Sequence, residues 1–438
     1  MPQQAADRLR AQTFPQIALA ILALTVAAWG TTLDASALAQ GFMFWRKQGV
    51  LLTGLWAIVL MSVLLFMATR PRWLEQRLGG LDHLYHQHKW CGISAGSAVL
   101  LHWALEKSPK WLSSLGLLTL GKRPPHGGTD ILRGIATEAG ELAFYALVLL
   151  LVASLVRALP YGRFRQIHKI GAILFIAAAF HSVWLIPDSQ RWNPYGLLTL
   201  VAAIGGSLAA LWLLAGRAGR AQRSQGTITA LHQHPDGVLE LAITLPQGLP
   251  HYQPGQFALL TLHPDEGSHP FTILHYDAAS RVARFAIKAL GDYTRSLPEQ
   301  LQPGAPAVIE GPYGRFALPG KTRPELWIAG GIGIAPFIAW LEALAEQGQT
   351  RNQARLYYCI RHTENIPFSE RLAELCQRAG VALTLVISSR NGRLNPEDLP
   401  VTTDTHVWFC GPEKMRDMLK QRLALPAGQM HYELFEFR

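Results

Sequence analysis

Long apolar runs crowd into the first half of this chain and restrict what it can fold into. A membrane-crossing helix needs about twenty predominantly apolar residues. Six runs approach that length, over residues 14–32, 50–69, 86–105, 139–156, 167–186 and 194–215. The second half instead alternates short apolar and polar stretches, as globular proteins do. We therefore predict a six-helix transmembrane bundle over residues 1–216, followed by a soluble region.

Charge placement predicts how this bundle is oriented. Arginines follow the second, fourth and sixth runs, and basic loops face the cytoplasm. Both termini and the soluble region are therefore expected in the cytoplasm, with the bundle in the cell (inner) membrane. The opposite loop, residues 107–133, is also basic, so the trend is incomplete. The net charge of +10 is mostly a topology signal, and no nucleic-acid partner is expected because no basic patch is interleaved with aromatics.

The N-terminus allows a second interpretation. Two arginines, an apolar run and the stretch ASALAQ resemble a cleavable signal peptide. The apolar run is about as long as a spanning helix, which favours retention of the first helix.

Four histidines occupy telling positions in the third and fifth runs. His88 and His102 are fourteen residues apart, about 3.9 helical turns, and so share one helix face. His168 and His181 are thirteen apart, about 3.6 turns, which places them off one face in a straight helix. Local overwinding, tilt or different rotamers would have to close that gap.

Pairing the two helices gives two stacked bis-histidine sites, His88 with His168 near the inner face and His102 with His181 near the outer. Such sites suit two b-type haems, each iron held by one imidazole from each helix. The small residues of GISAG beside His88 would let a flat macrocycle approach. The alternatives are four structural histidines hydrogen-bonded between helices, or a zinc or proton-relay site, which is weaker because no carboxylate or cysteine joins the set.

Residues 227–317 predict a small antiparallel β-barrel after a linker at 217–226. Short strands separated by Pro and Gly follow one another without helices. The stretches HPFTIL and IKALGDYT could bind a flavin, with the Thr272 hydroxyl at the ring edge and backbone N–H groups around Gly291, together with Thr294, at a pyrophosphate. Equally, both stretches could be ordinary strand ends with turns.

Residues 318–438 predict a doubly wound α/β domain. ELWIAGGIGIAPF gives a strand, a glycine-rich turn and a helix, and three more apolar strands follow. Gly331 and Gly333 would let the backbone approach a nucleotide phosphate at the helix N-terminus. Pro336 replaces the third glycine of the dinucleotide fingerprint, so that motif fails in its plain form.

The joint order of these motifs carries a resemblance. A barrel, then GGIGIAPF, then CGPEKM is similar to the ferredoxin–NADP reductase superfamily. Preceded by six spans with two histidine pairs, the chain resembles the NADPH oxidase/ferric reductase family over nearly all its length. The resemblance implies FAD, two b haems and NADPH or NADH as electron donor. It implies electron transfer from cytoplasmic NAD(P)H across the bilayer to an extracytoplasmic ferric chelate or dioxygen.

The same resemblance implies the site residues. Cys410 and Gly411 would lie beside the nicotinamide, and the C-terminal aromatic Phe435 would cover the flavin, unless it packs in the core of a last strand. HPFT takes the place of the arginine-containing flavin-binding motif of the soluble reductases. The remaining cofactor-binding residues expected from these motifs are His269, Pro270, Phe271, Lys288, Tyr293, Gly330 and Pro412.

The nucleotide and the electron acceptor each leave more than one possibility. Ser389 and Arg390, in SSRNGR, resemble the superfamily's Ser-Arg pair for the NADPH 2′-phosphate, although Arg390 could be a solvated turn residue. A surplus of basic residues in the outer loops favours an anionic ferric chelate slightly over dioxygen. Rival functions are a proton-relay transporter and a redox sensor with a regulatory nucleotide domain.

Overall fold

The computed structural model describes residues 2–33, 36, 41–119, 131–155, 161–234, 237–263, 266–320, 324–362 and 368–433. The chain divides into two compact units. Segments Gln12–Leu78 and Leu84–Ala218 form one, here called the membrane unit. The chain from Gly219 onward makes up most of the other, the soluble unit.

The N-terminal half is helical throughout its described residues. Four helical stretches, Phe42–Ala68, Ile131–Leu155, Gly162–Trp184 and Pro194–Leu214, are long and apolar enough to cross a membrane, and Gln16–Gly30 is a shorter apolar one. All six predicted runs overlap helices. The helices are α1 (Pro2–Gly30), α2 (Phe42–Ala68), α3 (Arg72–Leu78), α4 (Leu81–Ser114), α5 (Ile131–Leu155), α6 (Tyr161–His168), α7 (Ile170–Trp184) and α8 (Pro194–Leu214).

Small residues let these helices pack closely, as is usual where lipid replaces water. The fully buried ring of Phe175 on α7 lies against Gly206 on α8, where a Cβ atom would overlap it. The start of α8 is fixed by its sequence: the Asn193 side chain accepts a hydrogen bond from the Gly196 amide at 3.1 Å, and a proline occupies the first turn.

The fifth predicted span is interrupted. Helix α6 ends at His168 and α7 begins at Ile170. At the junction the Ala172 amide donates to the Lys169 carbonyl at 3.1 Å, a bond spanning three residues as in a 3₁₀-helix. Such a turn is wound more tightly than an α-helix. This overwinding brings His168 and His181 closer to a common face than a straight helix would.

The first domain of the soluble unit is a closed six-stranded barrel, in the order β1-β2-β5-β4-β3-β6. Its strands are β1 (Arg223–Gln233), β2 (Val238–Thr244), β3 (Phe257–Thr261), β4 (Ser268–Asp277), β5 (Val282–Lys288) and β6 (Pro306–Tyr313), and α9 (Asp292–Gln300) follows β5. Strand β1 starts inside the predicted linker. Its first residues alternate between exposed and buried positions. Because the exposed residues are polar, this stretch did not look like an apolar strand in the sequence.

The second domain is a parallel five-stranded sheet ordered β11-β10-β7-β8-β9, as the predicted α/β domain requires. Its elements are β7 (Glu325–Gly330), α10 (Ala335–Glu346), β8 (Ala354–Ile360), α11 (Ser369–Arg378), β9 (Ala382–Ile387), α12 (Ser388–Asn391), β10 (His406–Cys410), α13 (Glu413–Leu423) and β11 (Met430–Tyr432). The short β11 was not predicted as a separate strand.

Helix α10 joins the two domains of the soluble unit. The buried Trp340 indole N–H is shared between the carbonyls of Pro254, at 3.0 Å, and Phe316, at 3.1 Å. The buried Glu342 lies 2.8 Å from His275 on β4 and also pairs with Arg371 on α11. These contacts fix the barrel relative to the glycine-rich turn that precedes α10.

Candidate functional site

The structure brings the predicted histidine pairs together. The imidazole ring centres of His88 and His168 are 6.1 Å apart, and those of His102 and His181 are 6.4 Å apart. All four residues belong to the membrane unit.

Hydrogen bonds fix the orientation of the outer pair. Nδ1 of His102 lies 3.0 Å from the Val50 carbonyl oxygen, and Nδ1 of His181 lies 2.9 Å from the Ala136 carbonyl oxygen. A carbonyl only accepts hydrogen bonds, so both imidazoles carry their proton on Nδ1. Nε2 is then the nitrogen available to a metal, the arrangement that metal-ligating histidines usually show.

The inner pair is held differently. His88 is hydrogen-bonded to the backbone of Leu64. Nδ1 of His168 lies 3.3 Å from the Ser154 hydroxyl. That hydroxyl donates its own proton to the Leu150 carbonyl at 2.7 Å, so its oxygen accepts from His168. The contact of Ser154 with His168 was not predicted. In the sequence Ser154 is only a serine two residues from the end of an apolar run.

These distances fit a bis-imidazole iron. A metal–nitrogen bond of about 2 Å on each side, plus roughly 1 Å from each nitrogen to its ring centre, separates two ligating rings by about 6 Å. Among the described residues no group of three or more His, Cys, Asp or Glu could hold a metal ion.

Within GISAG the two glycines have different surroundings. A Cβ atom on Gly96 would overlap the Leu151 side chain, whereas one on Gly92 would meet only Leu64, at 4.0 Å. Gly96 therefore accommodates a leucine, and a role of this stretch towards a macrocycle stays a prediction. The glycines that approach the imidazoles are Gly54 and Gly140, which the sequence analysis missed.

Ion pairs neutralise part of the predicted basic outer surface. Arg46 pairs with Glu106 and also donates to the Leu105 carbonyl at 2.9 Å. Lys107 pairs with Glu141 at 2.8 Å. Asp34, Lys122, Arg123 and Asp130 of the predicted outer loops lie outside the described residues. Arg46 and Glu106 both belong to those loops, so their pairing leaves the net charge unchanged, and only Glu141 offsets one further basic residue.

In the barrel, the HPFT motif begins strand β4. Pro270, Phe271 and Thr272 pair with β3, whereas β5 pairs with β4 from Ile273 onward. The motif therefore lies where β4 is bordered by strand on one side only, a position that suits a proline because it has no N–H to donate. The buried Thr272 hydroxyl lies in this stretch.

The two predicted flavin stretches meet in space. The His269 imidazole stacks on the Tyr293 ring with centres 4.2 Å apart and planes 19° from parallel. Burial raises the pKa of Tyr293 to about 12, so this ring stays neutral. Lys288 is the last residue of β5 and precedes α9, the helix that contains Tyr293. The stack joins residues twenty-four positions apart, a contact that the sequence did not predict.

The predicted N–H groups around Gly291 are partly used already. The Thr294 hydroxyl accepts hydrogen bonds from the amides of Leu290, at 2.9 Å, and Gly291, at 3.0 Å. The hydroxyl thereby caps the start of α9. In this structure Thr294 therefore engages these two amides, and a pyrophosphate site around Gly291 stays a prediction.

The glycine-rich turn and the CGP turn touch directly. A Cβ atom on Gly333 would overlap the Cys410 carbonyl, and one on Gly330 would lie 3.3 Å from the Gly411 Cα and 2.6 Å from Pro412. Strands β7 and β10 are parallel neighbours, so their carboxyl ends meet at one edge, where α/β sheets bind ligands. Gly331 has a positive φ of 58°, and Pro336 occupies the first turn of α10.

The Cys410 thiol is buried at the end of β10. Burial raises its pKa well above the usual range, with the Glu433 carboxylate adding to the effect. The group is therefore a neutral thiol, and its contribution is shape rather than nucleophilicity.

The two residues predicted for the 2′-phosphate follow β9. Ser389 and Arg390 lie in α12 and are exposed. The Ser389 amide donates to the Arg361 carbonyl at the end of β8, at 3.1 Å, so α12 stands at the carboxyl edge of the sheet. Phe435 lies outside the described residues.

Family comparisons cover three consecutive regions of the chain. Residues 53–179 match the ferric reductase like transmembrane component, residues 224–317 an FAD-binding domain, and residues 327–421 an oxidoreductase NAD-binding domain. The class defined by fold and sites is thus an NAD(P)H oxidoreductase with a ferric reductase-like membrane domain. The predicted resemblance to the NADPH oxidase/ferric reductase family is confirmed, as is membership of the NAD(P)H oxidoreductases.

Individual relatives match between a third and a half of the chain. The chain is 35% identical over 147 residues to the carnitine monooxygenase reductase subunit of Escherichia coli, covering 32% of this chain and 44% of that protein. It is 27% identical over 228 residues to a ferredoxin–NAD(P)+ reductase component from Ralstonia, covering 48% and 68%. The chain thus spans about half to two thirds of these curated relatives.

A similar solved structure is a ferredoxin NADP+ reductase from Neisseria gonorrhoeae with bound FAD and NADP. It is 19% identical with a TM-score of 0.42, and covers 48% of this chain and 98% of its own.

Proposed function

We propose that this protein takes electrons from cytoplasmic NAD(P)H and delivers them through FAD and two b-type haems to an acceptor on the far side of the membrane. The observation that carries the proposal is the approach of two histidine pairs at a spacing suited to bis-imidazole iron. When bound, FAD accepts a hydride and the haem irons carry single electrons.

The residues of the chain would bind and orient the cofactors and limit access to them. His88 with His168, and His102 with His181, would each offer two imidazoles. In His102, His168 and His181 the bond at Nδ1 leaves Nε2 available. The open edge of β4 and the His269–Tyr293 stack would receive the flavin. The touching turns at Gly333 and Cys410 would accept the nicotinamide nucleotide against backbone.

No side chain needs to act as an acid or base in the membrane, because only electrons cross. Orientation then follows from the basic loops, with six spans in the inner membrane and the soluble unit in the cytoplasm. The neutral, buried Cys410 would limit access to the nicotinamide without forming a covalent bond.

Two acceptors compete. A ferric chelate would use the basic residues of the outer loops, and we keep it first. Dioxygen is the second candidate, and the pairing of Lys107 with Glu141 favours it, because this carboxylate offsets one of the basic charges that would attract an anion.

The purified protein with FAD, haem and NADPH would separate the two acceptors. Ferrous iron trapping and superoxide-dismutase-sensitive dye reduction are followed side by side, with and without oxygen. Ferric reduction that persists under anaerobic conditions supports the chelate. Ferric reduction that vanishes with superoxide dismutase or without oxygen identifies superoxide as the carrier. If neither acceptor is reduced while NADPH is supplied, the proposed function is wrong.

A further inference from the structure

The two outer histidines rest on the same local arrangement in two different helices. Nδ1 of His102 meets the Val50 carbonyl of α2, and Nδ1 of His181 meets the Ala136 carbonyl of α5. In an α-helix the residue four positions onward stands beside that carbonyl. In both helices this residue is a glycine, Gly54 in α2 and Gly140 in α5.

Both glycines leave the space that the imidazole fills. A Cβ atom on Gly140 would overlap three ring atoms of His181. A Cβ atom on Gly54 would lie 3.1 Å from Cε1 and 3.3 Å from Nδ1 of His102, tighter than ordinary contact. Since each ring also bonds the carbonyl one turn earlier, the glycine and the carbonyl together form a socket for one imidazole.

The inner histidines lack this arrangement. His88 bonds the backbone of Leu64, and four residues onward the helix carries Ala68 rather than glycine. His168 bonds the Ser154 hydroxyl. The glycine sockets are therefore a property of the outer pair alone within the described residues.

We propose that Gly54 and Gly140 are positioning residues that set the ring orientation and the Nδ1 hydrogen bonds of the two outer haem ligands. This inference rests on the proposed function, since it assumes that His102 and His181 ligate iron. A carbonyl that accepts from Nδ1 makes the imidazole a stronger ligand. If the ring is displaced from its socket, the hydrogen bond at Nδ1 weakens. The ligand field of the outer iron would then change, and that of the inner iron would not.

The test compares full-length Gly140→Ala and Gly54→Ala with Gly134→Ala. Gly134 lies on the same helix as Gly140, and a Cβ atom there meets nothing within 4 Å, so it is the matched control. Haem per FAD, the low-spin electron paramagnetic resonance spectrum and a redox titration are measured in detergent. We expect Gly140→Ala to halve the haem content, and Gly54→Ala to keep two haems with one shifted potential and one altered low-spin signal.

The outcomes separate the two proposals. Two haems in both the wild type and Gly134→Ala, with wild-type content, potentials and spectra in both socket variants, would overturn the sockets and leave the proposed function intact. No haem in the wild type would overturn the proposed function itself. If Gly140→Ala yields no FAD-containing protein, the milder Gly54→Ala decides alone, because its contact needs a shift of only a few tenths of an ångström.

Discussion

In the membrane unit the candidate cofactor ligands are four side chains on three helices, α4, α6 and α7, whereas in the soluble unit the candidate nucleotide site consists mainly of backbone at two turns. The histidines reach across from separate helices, and each is oriented by at least one hydrogen bond. Gly330 and Gly333 instead bring backbone against backbone at Gly411 and Cys410. Side chains at helical spacing can be predicted from the sequence, but backbone contact depends on the strand order.

The difference also concerns tolerance to change. A histidine ligand has no substitute among its neighbours, so its loss should remove a cofactor. A backbone site should lose affinity by degrees, because a misplaced turn still offers the same N–H groups. Substitutions at the two kinds of site test this contrast.

The largest effect is expected for the histidines. His88→Ala or His168→Ala should remove the inner haem, and His102→Ala or His181→Ala the outer, so that haem per FAD falls from two to about one. An imidazole supplies the metal bond, and alanine offers no atom in its place. Pyridine haemochrome assay against released FAD measures the ratio, and unchanged haem in all four variants would end the ligand assignment.

Gly333→Ala should weaken nucleotide use while leaving both haems in place. The added methyl group overlaps the Cys410 carbonyl, and overpacking of this kind costs about 1–3 kcal/mol. We expect kcat/KM for NADPH to fall roughly 10- to 100-fold. Gly320→Ala is the control, because its Cβ atom meets nothing within 4 Å. Equal kinetics for the two variants would contradict a nucleotide at these turns.

Arg390→Ala should reduce the preference for NADPH over NADH. A guanidinium–phosphate hydrogen bond contributes about 1.5–3 kcal/mol, so KM for NADPH should rise roughly 10-fold or more, with KM for NADH unchanged. Steady-state kinetics with both nucleotides measures this. Wild-type protein that uses the two nucleotides equally well would remove the role given to Ser389 and Arg390.

Deleting residues 435–438 should change flavin retention and nucleotide turnover by several-fold. The resemblance gives Phe435 the place over the flavin, where a stacked aromatic ring controls access. Haem content serves as the internal control, since it should not change. Normal FAD retention and kinetics after truncation would favour the alternative, a residue packed in the core.

The smallest effect concerns pH. Burial and the neighbouring His406 lower the pKa of His431 to about 4. Below about pH 6.5 the unfolded chain binds a proton that the folded chain does not, so stability falls as pH falls toward 4. At pH 5 this amounts to about 2 kcal/mol. The temperature of flavin release should drop by a few degrees between pH 7 and 5, and less so in His431→Gln.

Much of the architecture follows from sequence pattern, and specific residues show where pattern stops. The spacing of His88 and His102 predicted their shared face, but Lys169, where the tight turn realigns His168 and His181, carries no signal of its own. Strand β1 was missed because its exposed face is polar. The barrel of six strands and the sheet of five otherwise follow one another as predicted, since their apolar strands alternate with turns.

Contacts between distant residues were the least predictable. Gly54 and Gly140 look like ordinary small residues of apolar helices until the imidazoles are placed beside them. Likewise, the stack of His269 on Tyr293 and the pairing of Arg46 with Glu106 depend on tertiary packing. The roles of Gly54, Gly140, His269 and Tyr293 in cofactor binding stay predictions until variants are measured.

The central claim is that paired histidines hold two haems which receive electrons from NAD(P)H. The most direct measurement is a reduced-minus-oxidised visible spectrum of the purified full-length protein, recorded first with NADPH and then with dithionite. We expect the bands of low-spin b haem with both reductants, and two haems for each FAD. Protein that retains FAD but shows no haem bands with either reductant would contradict it and favour a proton-relay transporter or a redox sensor.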